Sequence, residues 1–336
     1  MKKSIFALAA MIFAASAVAA QTTWYVSAST GGNKKAGNTP EAPLKNIQKA
    51  VDKAEDGDII KVAEGNYFGT LDKGTIEIKK LLTIEGGYSP DFKTRDILKH
   101  ATTVMPTPES NGTANGQGTM IIDYGMRNGG AMDKTITKLP ENGKMVLDGL
   151  IFDRGNSIAY RYKPNNREDA GWPEGLETPM MQPIGNKGAN GDFSKPETLN
   201  ENVFTNQSNV LKLTTTPVAY ELIVKNCAFI NCPNYAIQGM SKGKVTITNN
   251  IFINCRMAAV EVRGCDAKIP TEFYFNYNTV LFCWARLKDL GDMGYGFRYM
   301  PGTNQYVEHN IIGCTTFAGL DRTHVDSDRT KEAKRV

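Results

Sequence analysis

The chain has 336 residues, with 39 Lys and Arg against 35 Asp and Glu, for a formal charge of +4. Lys2 and Lys3 supply half of that excess, so the rest of the chain is nearly neutral and has no basic surplus for nucleic acid or an acidic membrane surface. The 3 histidines, His100, His309 and His324, sit at no metal-ligand spacing, which sets zinc chemistry aside.

Taken from the N-terminus, Lys2 and Lys3 precede a largely apolar run from Ile5 to Val18, and small residues follow at Ala17-Val18-Ala19-Ala20. This pattern predicts a secretory signal over residues 1–20. The run falls short of the ~20 residues that a membrane span needs, and no other stretch is apolar for as long. The expectation is therefore an exported chain, periplasmic, cell-surface or extracellular, with no transmembrane segment once the signal is removed. Residues 21–58 read as an N-terminal cap. Within it Leu44, Ile47, Val51 and Ala54 recur at helical steps, Pro43 stands at a natural helix start, and Asp56-Gly57-Asp58 stops the run.

Beyond the cap, helical periodicity is scarce and short strands repeat. Leu222-Ile-Val-Lys-Asn-Cys-Ala-Phe-Ile-Asn-Cys232, Val245-Thr-Ile-Thr-Asn-Asn-Ile-Phe-Ile-Asn-Cys255, Phe273-Tyr-Phe-Asn-Tyr-Asn-Thr-Val-Leu-Phe-Cys283 and Tyr306-Val-Glu-His-Asn-Ile-Ile-Gly-Cys314 share one plan. Each has an alternating strand, an Asn-containing corner, a second strand and a cysteine. The fourth is two residues shorter, and Met145-Val-Leu-Asp-Gly-Leu-Ile-Phe152 is an earlier, more distant copy. A repeat of roughly 20–30 residues made of strands and corners is one rung of a β-solenoid, which buries its apolar face only by stacking. Asparagine suits the corners because it tolerates left-handed dihedrals and its amide bonds backbone groups. The expected fold is all-β, a right-handed parallel β-helix over residues 59–320 with an N-terminal capping helix. A long polar insertion covers 163–208 and a charged tail 321–336. Cys232, Cys255, Cys283 and Cys314 are expected to form one buried, mostly reduced column, since free cysteine packs as a small apolar residue.

Trp24-Tyr-Val-Ser, Gly37-Asn-Thr-Pro-Glu-Ala-Pro-Leu-Lys-Asn-Ile-Gln-Lys-Ala50, Asp56-Gly-Asp-Ile-Ile-Lys-Val62 and Glu64-Gly-Asn-Tyr67 resemble the cap and first rung of the pectate-lyase-like right-handed parallel β-helix superfamily. Leu82-Thr-Ile-Glu-Gly-Gly-Tyr-Ser-Pro-Asp-Phe92 looks like a rung of large exported surface β-helix proteins. The resemblance covers residues 23–92 closely and 145–320 as repeat pattern. It implies a helix plugging one end of the solenoid and an outer face that, in the lyases, binds a sugar chain. Members of the superfamily include lyases, hydrolases, epimerases and non-enzymatic surface proteins, so the fold by itself does not select an activity.

The third strands of successive rungs read Val210-Leu-Lys-Leu213, Ala236-Ile-Gln-Gly239 and Ala259-Val-Glu-Val-Arg263, then less regularly Arg286-Leu-Lys-Asp289 and Gly296-Phe-Arg-Tyr299. Alternation turns Leu211, Leu213, Ile237, Val260 and Val262 inward and Lys212, Gln238, Glu261 and Arg263 outward. Arg161 extends the row, and Tyr160 or Trp172 would stack on a sugar ring. In a lyase, a cation (often calcium) or an arginine neutralises a uronate carboxylate while a lysine or arginine removes the neighbouring proton. Lys212, Arg263, Arg286 and Lys288 are the candidates for that chemistry, with Gln238, Glu261, Arg161, Tyr160 and Trp172 for substrate binding. Calcium would draw on Asp289, Asp292 and Glu261, which lack the multi-Asp cage of the lyases. Two functions follow: a polysaccharide lyase acting on an acidic glycan by β-elimination, or a non-enzymatic surface or secreted β-helix that binds glycan or protein. Exposed charges on a solenoid face also serve simply as solvation and edge protection.

Overall fold

The computed structural model describes residues 21–105, 120–127, 131–132, 139–140, 143–154, 209–216, 218–232, 234–255, 257–266, 268–283, 294–315 and 318–322. Residues 1–20, the 163–208 segment and the tail from 323 lie outside them. Three parallel sheets of eight, seven and seven strands are formed, and each strand pairs with its counterpart one repeat away. One rung runs through Tyr220–Lys225 in the first sheet, Ala228–Cys232 in the second and Tyr235–Ser241 in the third, and Gly243–Thr248 then returns to the first. The architecture is a right-handed parallel β-helix, the hand favoured wherever a twisted strand crosses over to a parallel neighbour. No helix among the described residues is long and apolar enough to cross a membrane.

The repeat works because identical positions stack. Leu222, Val224, Phe229 and Ile237 all point inward and are fully buried. Phe229 pairs in register with Phe252, their rings stacked at 5.0 Å, and Phe152 stacks below at 4.8 Å. Between the first and second sheets the corner takes left-handed backbone at Asn226 and Asn249, and the next bend does so at Asn231 and Asn254. The residue after the first of these bends builds an interior ladder. Cys227 N–H donates to Asn250 Oδ1 at 2.9 Å, Asn250 N–H to Asn278 Oδ1 at 3.0 Å, and Asn278 N–H to Asn310 Oδ1 at 2.8 Å. The Nδ2 groups of Asn250 and Asn278 donate in turn to the carbonyls of Val224 and Ile247. Corner groups that would otherwise be buried and unpaired are thus satisfied across these rungs.

Two sequence expectations need correction. The helix covers only Ile47–Lys53. Leu44 is extended instead, its N–H donating to Tyr25 O and its carbonyl accepting from Ser27 N–H, so neither group is free for a helix. The start is set by Asn46, whose side chain accepts from Lys49 N–H as an N-cap, and Pro43 lies outside the helix. Ile47, Ala50 and Val51 still join the solenoid core and close its first rung.

The second correction concerns the cysteines. Cys232, Cys255 and Cys283 pair in register and are fully buried. Cys314 is exposed, because Leu281 pairs with Gly313 and the shorter fourth repeat brings Cys314 to the left-handed bend, the place of Asn231, Asn254 and Phe282 in earlier rungs. Burial pushes the Cys227 thiol up to about 12 and raises Cys255 as well, the latter with its cysteine neighbours. In the native protein Cys314 is therefore expected to react promptly with a thiol reagent and half-shielded Cys265 more slowly. Cys227, Cys232, Cys255 and Cys283 should react only on unfolding. Timed thiol counts before and after adding denaturant check this, and prompt reaction of all six would contradict it.

Candidate functional site on the third sheet

Alternation places the candidate row. In Leu211–Leu213 the outer residues are buried and Lys212 between them is exposed. Lys212 pairs with Gln238 and Gln238 with Glu261, so these three share one line across adjacent rungs. Arg263 pairs with Met240 and stands beside that line rather than on it. The next rungs continue the row with two residues the sequence reading missed. Val260 pairs with Phe297, which sets Arg298 beside Glu261, and Arg298 pairs with Asp321. The alternation in Gly296-Phe-Arg-Tyr299 was the available signal for Arg298.

The row is a connected polar network. Asn209 Nδ2 donates to Gln238 Oε1, and Gln238 Nε2 donates to Glu261 Oε1 at 3.2 Å. Arg298 then bridges two carboxylates, with Nη1 3.2 Å from Glu261 Oε2 and Nε 3.3 Å from Asp321 Oδ2. Arg263 Nη2 lies 3.6 Å from Glu261 Oε1, and its side chain is 37% exposed. Although these residues sit on the outer face of the sheet, Glu261, Arg298 and Asp321 are only 4%, 7% and 8% exposed. Tyr235, Ala258 and Tyr295 form a small apolar cluster next to them, separate from the interior core. The Arg298 guanidinium lies over the Tyr295 ring at 4.3 Å.

The electrostatics assign roles. Burial works to lower the Arg298 pKa, but Tyr235, Glu261, Tyr295 and Asp321 outweigh it and raise the value, so this guanidinium is a fixed cation and no base. Burial, with Glu261 adding to it, raises the Tyr235 phenol and keeps it neutral. Lys212 makes no ion pair among the described residues, and with Arg263 it is the row's accessible cationic group. The calcium implied by the family resemblance does not fit the described part of the row. Two carboxylates, both already bridged by Arg298, are far from the six to eight oxygens that calcium takes. No group of three or more His, Cys, Asp or Glu among the described residues is placed to hold a metal ion. Tyr160, Arg161, Trp172, Arg286, Lys288, Asp289 and Asp292 lie outside the described residues.

Comparison with known proteins finds no family model and no curated protein that matches the chain.

Proposed function

We propose that this chain is an exported β-helix of the pectate-lyase-like kind that binds an acidic polysaccharide along the outer face of its third sheet. One observation carries the reading. Lys212, Gln238, Glu261, Arg298 and Asp321 stand in a single register row, one hydrogen-bonding group per rung. Rungs repeat every ~4.8 Å, close to the length of a sugar ring, so a linear glycan lying along the axis keeps step with the row and meets exposed Lys212, part-exposed Gln238 and Arg263 above the buried Glu261–Arg298–Asp321 base. The interior-facing side chains of the same strands are apolar and buried, and meet no ligand. Lys212 and Arg263 supply the exposed positive charge that suits a uronate. The N-terminal pattern over residues 1–20 supports export.

Binding without turnover fits the network better than catalysis, because Glu261 and Arg298 are committed to each other. The second reading, β-elimination, draws on Lys212. Lys212, the row's exposed lysine with no ion pair among the described residues, is the group that would take the proton α to a uronate carboxylate as the glycosidic C–O bond on the adjacent carbon breaks.

The test is a panel of uronate polymers, scored for affinity and for the ultraviolet absorbance of unsaturated product, with and without calcium. For a binder, Lys212→Ala and Arg263→Ala should each weaken affinity by about 1 kcal/mol, roughly fivefold, with no absorbance from the parent. For a lyase, Lys212→Ala should cut the parent's turnover by ~100-fold or more. If both variants bind and turn over like the parent, this face is not the site.

A further inference from the structure

His100, set aside on sequence because its neighbours suggest no metal, has two partners in space. Its Nδ1 lies 2.6 Å from Glu64 Oε2, and its Nε2 lies 3.4 Å from Thr94 Oγ1. Hydroxyl, imidazole and carboxylate therefore stand in the order that activates an alcohol nucleophile, an arrangement defined by geometry and found on unrelated folds. Glu64 at Nδ1 keeps the proton on that nitrogen and orients the ring. Nε2 is left as an acceptor facing the Thr94 hydroxyl. The Thr94 contact is longer than a tight hydrogen bond, as is common for catalytic pairs without substrate.

The three groups are held by backbone. Glu64 occupies the corner between Ile59–Ala63 and Gly65–Phe68, with its N–H donating to Tyr88 O, and Gly65 N–H donates to Ala101 O. The excursion from Tyr88 to Ala101 is thus tied at both ends to the corner that carries Glu64. Within it, Ser89 Oγ accepts from Thr94 N–H, Ser89 N–H donates to Thr94 O, and Phe92 takes left-handed backbone while its ring packs edge-on against Tyr25. Asp96 begins the turn that carries His100, its carbonyl accepting from His100 N–H. The backbone also presents an oxyanion donor. Ser89 N–H to Thr94 O and Asp96 N–H to Gly87 O bracket a non-hydrogen-bonded pair of Tyr88 and Arg95. The Arg95 N–H, next in the chain after Thr94, therefore turns away from Tyr88. An N–H following the nucleophile is the usual site for stabilising a tetrahedral oxyanion.

We propose that Thr94, His100 and Glu64 form a second, hydrolytic site, acting as nucleophile, general base and orienting carboxylate on small O-acyl esters. Thr94 Oγ attacks the acyl carbonyl carbon while its proton passes to His100 Nε2. The bond to the alcohol oxygen breaks and that oxygen leaves with the proton from His100. Water, deprotonated by the same nitrogen, then attacks the acyl-threonine carbonyl; the bond to Thr94 Oγ breaks, that oxygen takes the proton back from His100, and the carboxylic acid is released. The site is shallow, with Thr94 exposed and His100 partly so, which suits acyl groups displayed on a larger molecule rather than an enclosed ligand. This assignment is independent of the third-sheet row.

p-Nitrophenyl acetate hydrolysis and labelling by a fluorophosphonate probe, with the adduct located by mass spectrometry, test it on the full chain. The parent is expected to turn over the ester and carry the adduct on Thr94. Thr94→Ala and His100→Asn should each lose ~100-fold or more, and Thr94→Ser should retain turnover. Thr94 has an exposed side chain whose hydrogen bond is to His100, so Thr94→Ala does not put folding at stake. Parent-level hydrolysis by Thr94→Ala, or a parent with neither turnover nor adduct, would overturn the assignment and leave the Glu64–His100 pair as a clamp on the 88–101 excursion.

Discussion

Arg298→Ala is expected to lower the stability of the folded chain by about 3–5 kcal/mol, the cost of removing one partner from a buried ion pair. The substitution removes the cation that hydrogen-bonds both Glu261 and Asp321, and both carboxylates are more than nine-tenths buried. It also removes the cation lying over the Tyr295 ring. Arg298→Lys should recover only part of the loss. An ammonium is a point charge and cannot present two differently directed N–H groups to carboxylates on neighbouring rungs. Arg263→Ala is the matching control. Its longer, partly exposed contact to Glu261 should contribute no more than ~1 kcal/mol. Equilibrium urea unfolding of the four proteins measures all three differences. If Arg298→Ala were no more harmful than Arg263→Ala, the row would not be the rigid, pre-set strip that the binding proposal needs.

Arg154→Met should act in the opposite direction, raising stability by on the order of 3 kcal/mol. Arg154 follows the strand Ile151–Asp153 and is 1% exposed. Its Nε, Nη1 and Nη2 find no hydrogen-bond partner among the described residues. Burial lowers its pKa to about 10, with the Cys232 thiol working weakly the other way. Methionine keeps an unbranched chain of similar reach and removes the charge, so the interior loses a desolvation penalty at small packing cost. The pH dependence follows in sign. A cation whose folded pKa is depressed imposes its full penalty below that pKa and sheds it as pH rises towards the unfolded value. The advantage of Arg154→Met should thus be complete at pH 7 and shrink as pH rises above about 10. Unfolding curves at the two pH values check it, and a variant less stable than the parent at pH 7 would show that this guanidinium has a compensating partner. The two buried arginines are thus expected to make opposite contributions, because among the described residues only Arg298 has carboxylates within reach.

Much of the fold was legible in the residues themselves. Alternation in Leu211-Lys-Leu213 and the recurrence of Asn, Phe and Cys in successive repeats are local properties, and a strand's inward and outward faces follow from a period of two whatever it pairs with. The same holds for the left-handed corners, where asparagine tolerates the dihedral. Other features depended on competition between neighbours. Pro43 and the spacing from Leu44 suggested a longer helix, but Asn46 supplied the better cap and Leu44 was drawn into pairing with the Trp24 strand. Cys314 fell out of its column because register is set by the strand pair, and the segment after the corner asparagine is one residue shorter, so the cysteine arrives at the bend early.

The candidate sites divide in the same way. Lys212, Gln238 and Glu261 could be aligned from the repeats because three well-formed rungs carry them. Arg298 and Asp321 could not, since the spacing between those later rungs is irregular and only the observed pairing places them on the line. The contact of Thr94 and His100 with Glu64 was invisible for a stronger reason. Glu64 is 36 residues from His100, and it meets the ring only because one corner of the solenoid donates backbone hydrogen bonds to both ends of an excursion in the next rung. A repeat pattern in sequence is enough to dictate strands, faces and stacking, since these follow from local alternation and burial. Which charges meet across rungs is decided by register and loop closure, and those exist only once distant strands have paired.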